Sequence, residues 1–177
     1  MSNANSLEAL SASWLENEDE GCRQSRLERL RWLAEITSDV PIFCFHGGFI
    51  AKSLFDETRY CFAYGQFLAT TVLGLAFVEQ TLAALFFADG RDDLERASIS
   101  SLLNEALASG WIADEEFAAL NRARTCRNPI THFRRPMHDD SIEVRSIEDD
   151  EYPYDVIEAD ARHVIAAMMR VFGRISP

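Results

Sequence analysis

The stretch FLATTVLGLAFVEQTLAALFF, residues 67–87, constrains this chain more than any other. It is apolar on almost every side of a helical wheel and holds no proline. A helix of that kind has to be surrounded, either by other helices or by lipid. Glu79 and Gln80 lie near its middle, where a charge in hydrocarbon is costly, and its flanks lack strong basic residues. The expectation is a core helix at the centre of a bundle, within an apolar segment over about residues 60–88, and no membrane span.

The rest of the chain must then supply the surrounding helices. Eight glycines and five prolines in 177 residues leave long stretches without breakers. From Ser25, Leu27, Leu30, Leu33 and Ile36 alternate with Arg26, Arg29 and Arg31 as an amphipathic helix would. SDVP closes it, because the residue before Pro41 is pushed out of helical geometry. IFCFHGGFI, residues 42–50, fits a loop or a short strand. ADGRDD ends the central helix, with Gly90 suited to a left-handed cap. Ser98 or Ser100 starts the next helix, with Leu102, Leu103, Ala106 and Leu107 on one face. Gly110 ends that helix, and Asp114 caps another that carries Phe117 and Leu120 toward Cys126. A last helix begins near Asp155 and carries Val156, Ile157, Val164, Ile165, Met168, Met169 and Phe172.

Before it, residues 139–155 read as an acidic loop, with Ile142, Val144 and Ile147 as a brief strand. The sum is an all-α bundle of about five helices in one domain over residues 1–177. Residues 1–24 read as a flexible, acidic N-terminal extension in which Leu7, Leu10 and Trp14 form a short apolar stripe.

The net charge of -12 and pI of about 4.7 argue against broad, non-specific nucleic-acid binding, which needs a basic surface. They leave room for a small basic site. Cys22, Cys44, Cys61 and Cys126 form no CxxC pair and no zinc spacing, so they read as free buried thiols of a cytoplasmic chain. The first twenty residues lack the basic and apolar regions of a secretion signal, so none is expected.

One segment runs against the acidic balance. RTCRNPITHFRR, residues 124–135, lies in a window from Phe117 to Met137 that holds no Asp or Glu after its start. The window carries Arg122, Arg124, Arg127, Arg134 and Arg135 with His132. A guanidinium fork matches phosphate oxygens, and an imidazole moves protons near neutral pH. Together they meet the demands of RNA cleavage by an internal 2'-hydroxyl, which needs a charge clamp and an acid or base. That chemistry requires no metal and no cofactor, and no carboxylate cluster nearby suggests one. On a straight helix, Arg127 and His132 would diverge by about 140°. Asn128 is a good N-cap and Pro129 a good first-turn residue, so a break after Arg127 is expected to turn both side chains into one cleft.

These residues resemble a known family. RNPITH is similar to the Arg-polar-x-x-x-His signature of the HEPN superfamily. The segment 101–133 resembles that family's final helical hairpin, and FVEQTLAALF its core helix. The resemblance covers roughly residues 60–135 and implies an HEPN-like helical bundle, dimeric through the signature helices. It implies a metal-independent endoribonuclease of the kind used as a toxin or in phage defence, acting on RNA, with an antitoxin protein as a further partner. Carried over, Arg127 holds the scissile phosphate, His132 is the general acid/base and Asn128 supports them. Arg124, Arg134 and Arg135 are candidates for substrate binding, and Glu79 for orienting Arg127. The alternative is a catalytically silent HEPN-like module that binds RNA, a nucleotide or a protein. A third reading is an unrelated helical protein whose arginines dock an acidic partner. Residues 139–155, with eight carboxylates, read as solvated, or as folding over the arginines in competition with RNA.

Overall fold

The computed structural model describes residues 2–38, 45–135 and 137–175, with side chains 2–5 and 172–175 left aside. Cys44, Pro41, Pro136 and the Phe172 side chain thus lie outside the described residues. Seven α-helices and no strand occur among them: α1 (Ser2–Thr37), α2 (Gly48–Ala63), α3 (Phe67–Ala88), α4 (Ile99–Ala108), α5 (Asp114–Thr131), α6 (Ile142–Asp149) and α7 (Pro153–Ile175). A 3-10 turn, Asp92–Leu94, links α3 to α4. The all-α expectation holds, with two more helices than anticipated.

α3 is long and apolar enough to cross a membrane by length and composition. In the structure it packs against α2, α4, α5 and α7. Phe67, Leu75, Phe77, Leu82 and Phe86 on it are buried. Aromatic rings join the layers: Phe55 of α2 meets Phe77 of α3 at 5.5 Å, and Phe86 of α3 stacks on Trp111 at 4.3 Å. Such ring pairs add to the area that burial alone removes from water.

The expected central segment over residues 60–88 is in fact divided. α2 ends at Ala63, and Gly65 adopts φ 77°, which favours glycine. Two side chains close on that turn. Arg29 of α1 donates from Nε to the Ala63 carbonyl at 3.1 Å, and Tyr154 of α7 donates to the Gly65 carbonyl at 3.1 Å. A Cβ at Gly65 would lie 3.0 Å from the Tyr154 hydroxyl and 3.4 Å from an Arg29 nitrogen.

Arg29 corrects the sequence reading of α1. It is buried, while Leu27 and Leu30 are exposed. The guanidinium is accepted because it satisfies an end carbonyl of α2 and lies 5.5 Å from the Phe67 ring centre. The buried face is therefore Arg29, Trp32, Leu33 and Ile36. α1 is helical from Ser2 onward, through the residues read as an N-terminal extension.

The strand expected at Ile142, Val144 and Ile147 is helix α6. Ser141 caps it, its hydroxyl accepting from the Val144 N–H at 3.3 Å. The acidic loop is thus a helix between two short turns. α6 docks on α7 through Arg145, whose two Nη atoms donate to both oxygens of Asp160 at 2.8 and 2.7 Å.

Candidate phosphate-binding site

The candidate residues lie at the C-terminal end of α5 and in the extended backbone that follows. Glu116 starts the helix by accepting the Ala113 N–H at 2.7 Å, one residue before the expected cap at Asp114. Leu120, Ala123 and Cys126 form its buried face. α5 then runs through Asn128 and Pro129 to Thr131, so the expected break after Arg127 is absent. Pro129 falls in the last turn, where the missing N–H leaves only the Thr125 carbonyl without its helical donor. The change of direction comes at His132, which is extended (φ -132°, ψ 130°) and donates its backbone N–H to the Asn128 carbonyl at 3.0 Å. The chain leaves the helix axis from His132 onward.

Arg127 is half-buried, and its Nε is buried with no hydrogen-bond acceptor. The same is true of Arg134. Buried donors without acceptors are rare in folded proteins and call for an account. Neither Arg127 nor Glu79 makes an ion pair among the described residues, so the suggested Glu79 contact is not formed. Arg124 is engaged elsewhere: its Nε donates to Asn121 at 3.0 Å. Asn128 is half-buried, and His132, Phe133 and Arg135 are exposed. Phe133 is 87% exposed.

A cavity of about 440 Å³ opens beside these residues. Arg134 and Arg135 line it with Pro129, Phe133, Ser141 and Glu143, while Arg127, Asn128 and His132 do not. The structure thus gathers two of the candidate arginines in one cavity and places Arg127 and His132 at the adjoining helix end. Glu143 was not singled out from the sequence. Only the Ser141 cap, three residues before Val144, signalled the helix that carries it there. Among the described residues no group of three His, Cys, Asp or Glu side chains stands close enough to hold a metal ion.

Glu143 is the acidic neighbour of Arg134 and Arg135 in this cavity. Deleting residues 139–155 would also remove Arg145 and uncover buried Asp160, so a point substitution is the informative change. Glu143→Gln is expected to tighten RNA binding about two- to fivefold at low salt, an effect that fades as salt rises. Filter binding across a salt series checks this.

Behind the site, Cys126 is buried and its thiol donates to Asp160 at 3.2 Å. Burial, reinforced by the Asp160 carboxylate, pushes the thiol up to about 12. Cys22 and Cys61 are free and half-buried, so only one of the three described thiols fits the expectation of burial. The unfolded chain ionises Cys126 near 9.0, and the folded chain keeps it protonated. Stability is therefore expected to fall as pH rises from about 9 toward about 12. Thermal melts across the alkaline range should show a shallower fall for Cys126→Ala than for the wild type.

No protein-family model, curated protein or solved structure matches this chain. The HEPN resemblance accordingly rests on the residues quoted for it.

Proposed function

We propose that this chain is a metal-independent endoribonuclease that cleaves RNA by attack of the internal 2'-hydroxyl. The observation that carries the reading is that Arg127 and Arg134, whose buried Nε atoms find no acceptor among the described residues, stand at one helix end with His132. Neither guanidinium makes an ion pair among the described residues, and a guanidinium recognises a phosphodiester with paired N–H donors. Arg127 stabilises the phosphoryl oxygens as charge develops there. His132, exposed at the helix end, takes or gives the proton. The Asn128 backbone carbonyl accepts the His132 N–H and so fixes the helix end at which His132 stands. Arg134 and Arg135 hold the adjoining phosphate in the cavity of about 440 Å³.

The HEPN resemblance points the same way. It adds a second copy facing this one across the signature helices, and use as a toxin or defence effector kept in check by an antitoxin protein. Purified protein incubated with RNA in excess EDTA tests the reading. Cleavage by the wild type, lost in Arg127→Ala and in His132→Ala, supports it. Binding without cleavage by the wild type would instead mark a recognition module.

A further inference from the structure

Away from α5, the face between α1 and α2 holds a larger opening, a groove of about 630 Å³. Its floor is Leu33 and Ala63, both buried, and its walls are Leu27 and Leu30 of α1 and Tyr60 and Tyr64 of α2. Those four wall side chains are 40%, 51%, 59% and 47% exposed. Apolar side chains exposed together, rather than singly, mark a surface that binds something. The walls are ordered without an occupant. Tyr60 stacks on Tyr64 at 4.4 Å, and the Arg26 guanidinium lies 5.0 Å from the Tyr64 ring centre. A pre-formed pocket of this size, apolar with a few polar groups at its edge, suits a small molecule.

The charges of the groove state what kind of molecule. In a chain of net charge -12, three arginines, Arg23, Arg26 and Arg59, line it against one carboxylate, Asp56. Arg26 is engaged by Asp19 at 2.8 Å, and Asp56 by Lys52 at 2.5 Å. Arg23 and Arg59 make no ion pair among the described residues. They belong to opposite walls, Arg23 to α1 and Arg59 to α2. The Arg59 guanidinium lies 5.3 Å from the Phe55 ring centre, a contact that holds the side chain but leaves its charge uncompensated. The groove thus pairs an apolar bed with positive charge that the protein itself does not neutralise.

We propose that the α1–α2 groove binds a medium-chain aliphatic carboxylate, its hydrocarbon chain on the leucine and tyrosine walls and its carboxylate on Arg23 or Arg59. The lining runs from Arg23 to Leu33, about 15 Å of α1, a length that suits an extended chain better than a single ring. The chain removes the exposed faces of Leu27, Leu30, Tyr60 and Tyr64 from water, which drives the binding. The carboxylate accepts charge-assisted hydrogen bonds from a guanidinium, which fixes the orientation. This site is on another face from the phosphate site, because α1 packs on α2 and α7 while α5 packs on α3, α4 and α7.

Isothermal titration calorimetry of the full chain with octanoate tests the proposal. Octanoate is expected to bind saturably, one per chain. Octanol lacks the charge and acetate lacks the chain, so each should bind at least about tenfold more weakly. Arg23→Gln/Arg59→Gln should weaken octanoate by about tenfold or more and leave octanol unchanged, a split that a merely structural loss would not produce. Leu30→Asp, at an exposed side chain, should weaken octanoate and octanol alike while the melting temperature stays near that of the wild type. No saturable binding of octanoate by the wild type up to about 1 mM overturns the proposal. So does octanol bound as tightly as octanoate, or octanoate bound undiminished by both variants. Displacement of octanoate by inorganic phosphate would mark a plain anion site and overturns it too. The comparison of octanoate with octanol and acetate needs no variant, and none of these outcomes depends on RNA cleavage.

Discussion

His132→Ala should lower RNA cleavage by about 10²–10⁴-fold, the range over which a positioned general acid or base acts. Its melting temperature should stay close to that of the wild type, because the imidazole is exposed. Arg127→Ala should cost about 10²–10³-fold, as loss of one preorganised donor to a developing oxyanion does. The two variants should differ in binding. On the proposed nuclease reading, Arg127→Ala should weaken RNA affinity by removing a phosphate contact, whereas His132→Ala should leave it nearly intact because its proposed role falls on the proton in the transition state. Single-turnover rates and filter binding on the same RNA separate these effects. Two variants that cleave at the wild-type rate would sink the nuclease assignment, whatever the fold.

The second large effect is on stability. Asp160 is buried, and it accepts two hydrogen bonds from Arg145 and one from the Cys126 thiol. Removing Arg145 strands a buried carboxylate, so Arg145→Ala is expected to cost about 3–5 kcal/mol. Asp160→Ala should cost less, because the Arg145 side chain retains 26% exposure and can turn to water. The double variant should cost less than Arg145→Ala alone, since it leaves no stranded carboxylate. At about 2–4 °C per kcal/mol for a chain of this size, the Arg145→Ala melt should fall by roughly 6–20 °C. A shift of only a degree or two would mean that α6 is held by its apolar contacts instead.

What could be read from the sequence follows from which interactions are local. Helix content was legible because breakers are scarce, and the caps at Ser98 and Gly90 lie where the chain announces them. α6 was misread because Ile142 and Val144 are two apart, a spacing that suits a strand, while Val144 and Ile147 are three apart and suit a helix. The bundle chose the helix by offering Asp160 to Arg145. Arg29 was misplaced for a related reason: a charge reads as surface until a carbonyl 34 positions away, on Ala63, is known to need it. At the candidate site the arginines and the histidine were plain in the sequence, but the geometry was not. Pro129 was taken as a helix start, yet α5 absorbs it in its final turn because little helix remains to be broken. Glu143 is one of the eight carboxylates of residues 139–155, but its place beside Arg134 depends on how α6 folds back.

The turn at Gly65 has a consequence for how the molecule is made. It is gripped by Arg29 from the first helix and by Tyr154 from the last. A nascent chain leaving the ribosome can form the α2–α3 hairpin early, but the second hand on it arrives only when residue 154 has emerged. A prematurely terminated product therefore lacks its final latch, and the quality-control machinery of the cell has a loose apolar hairpin to find.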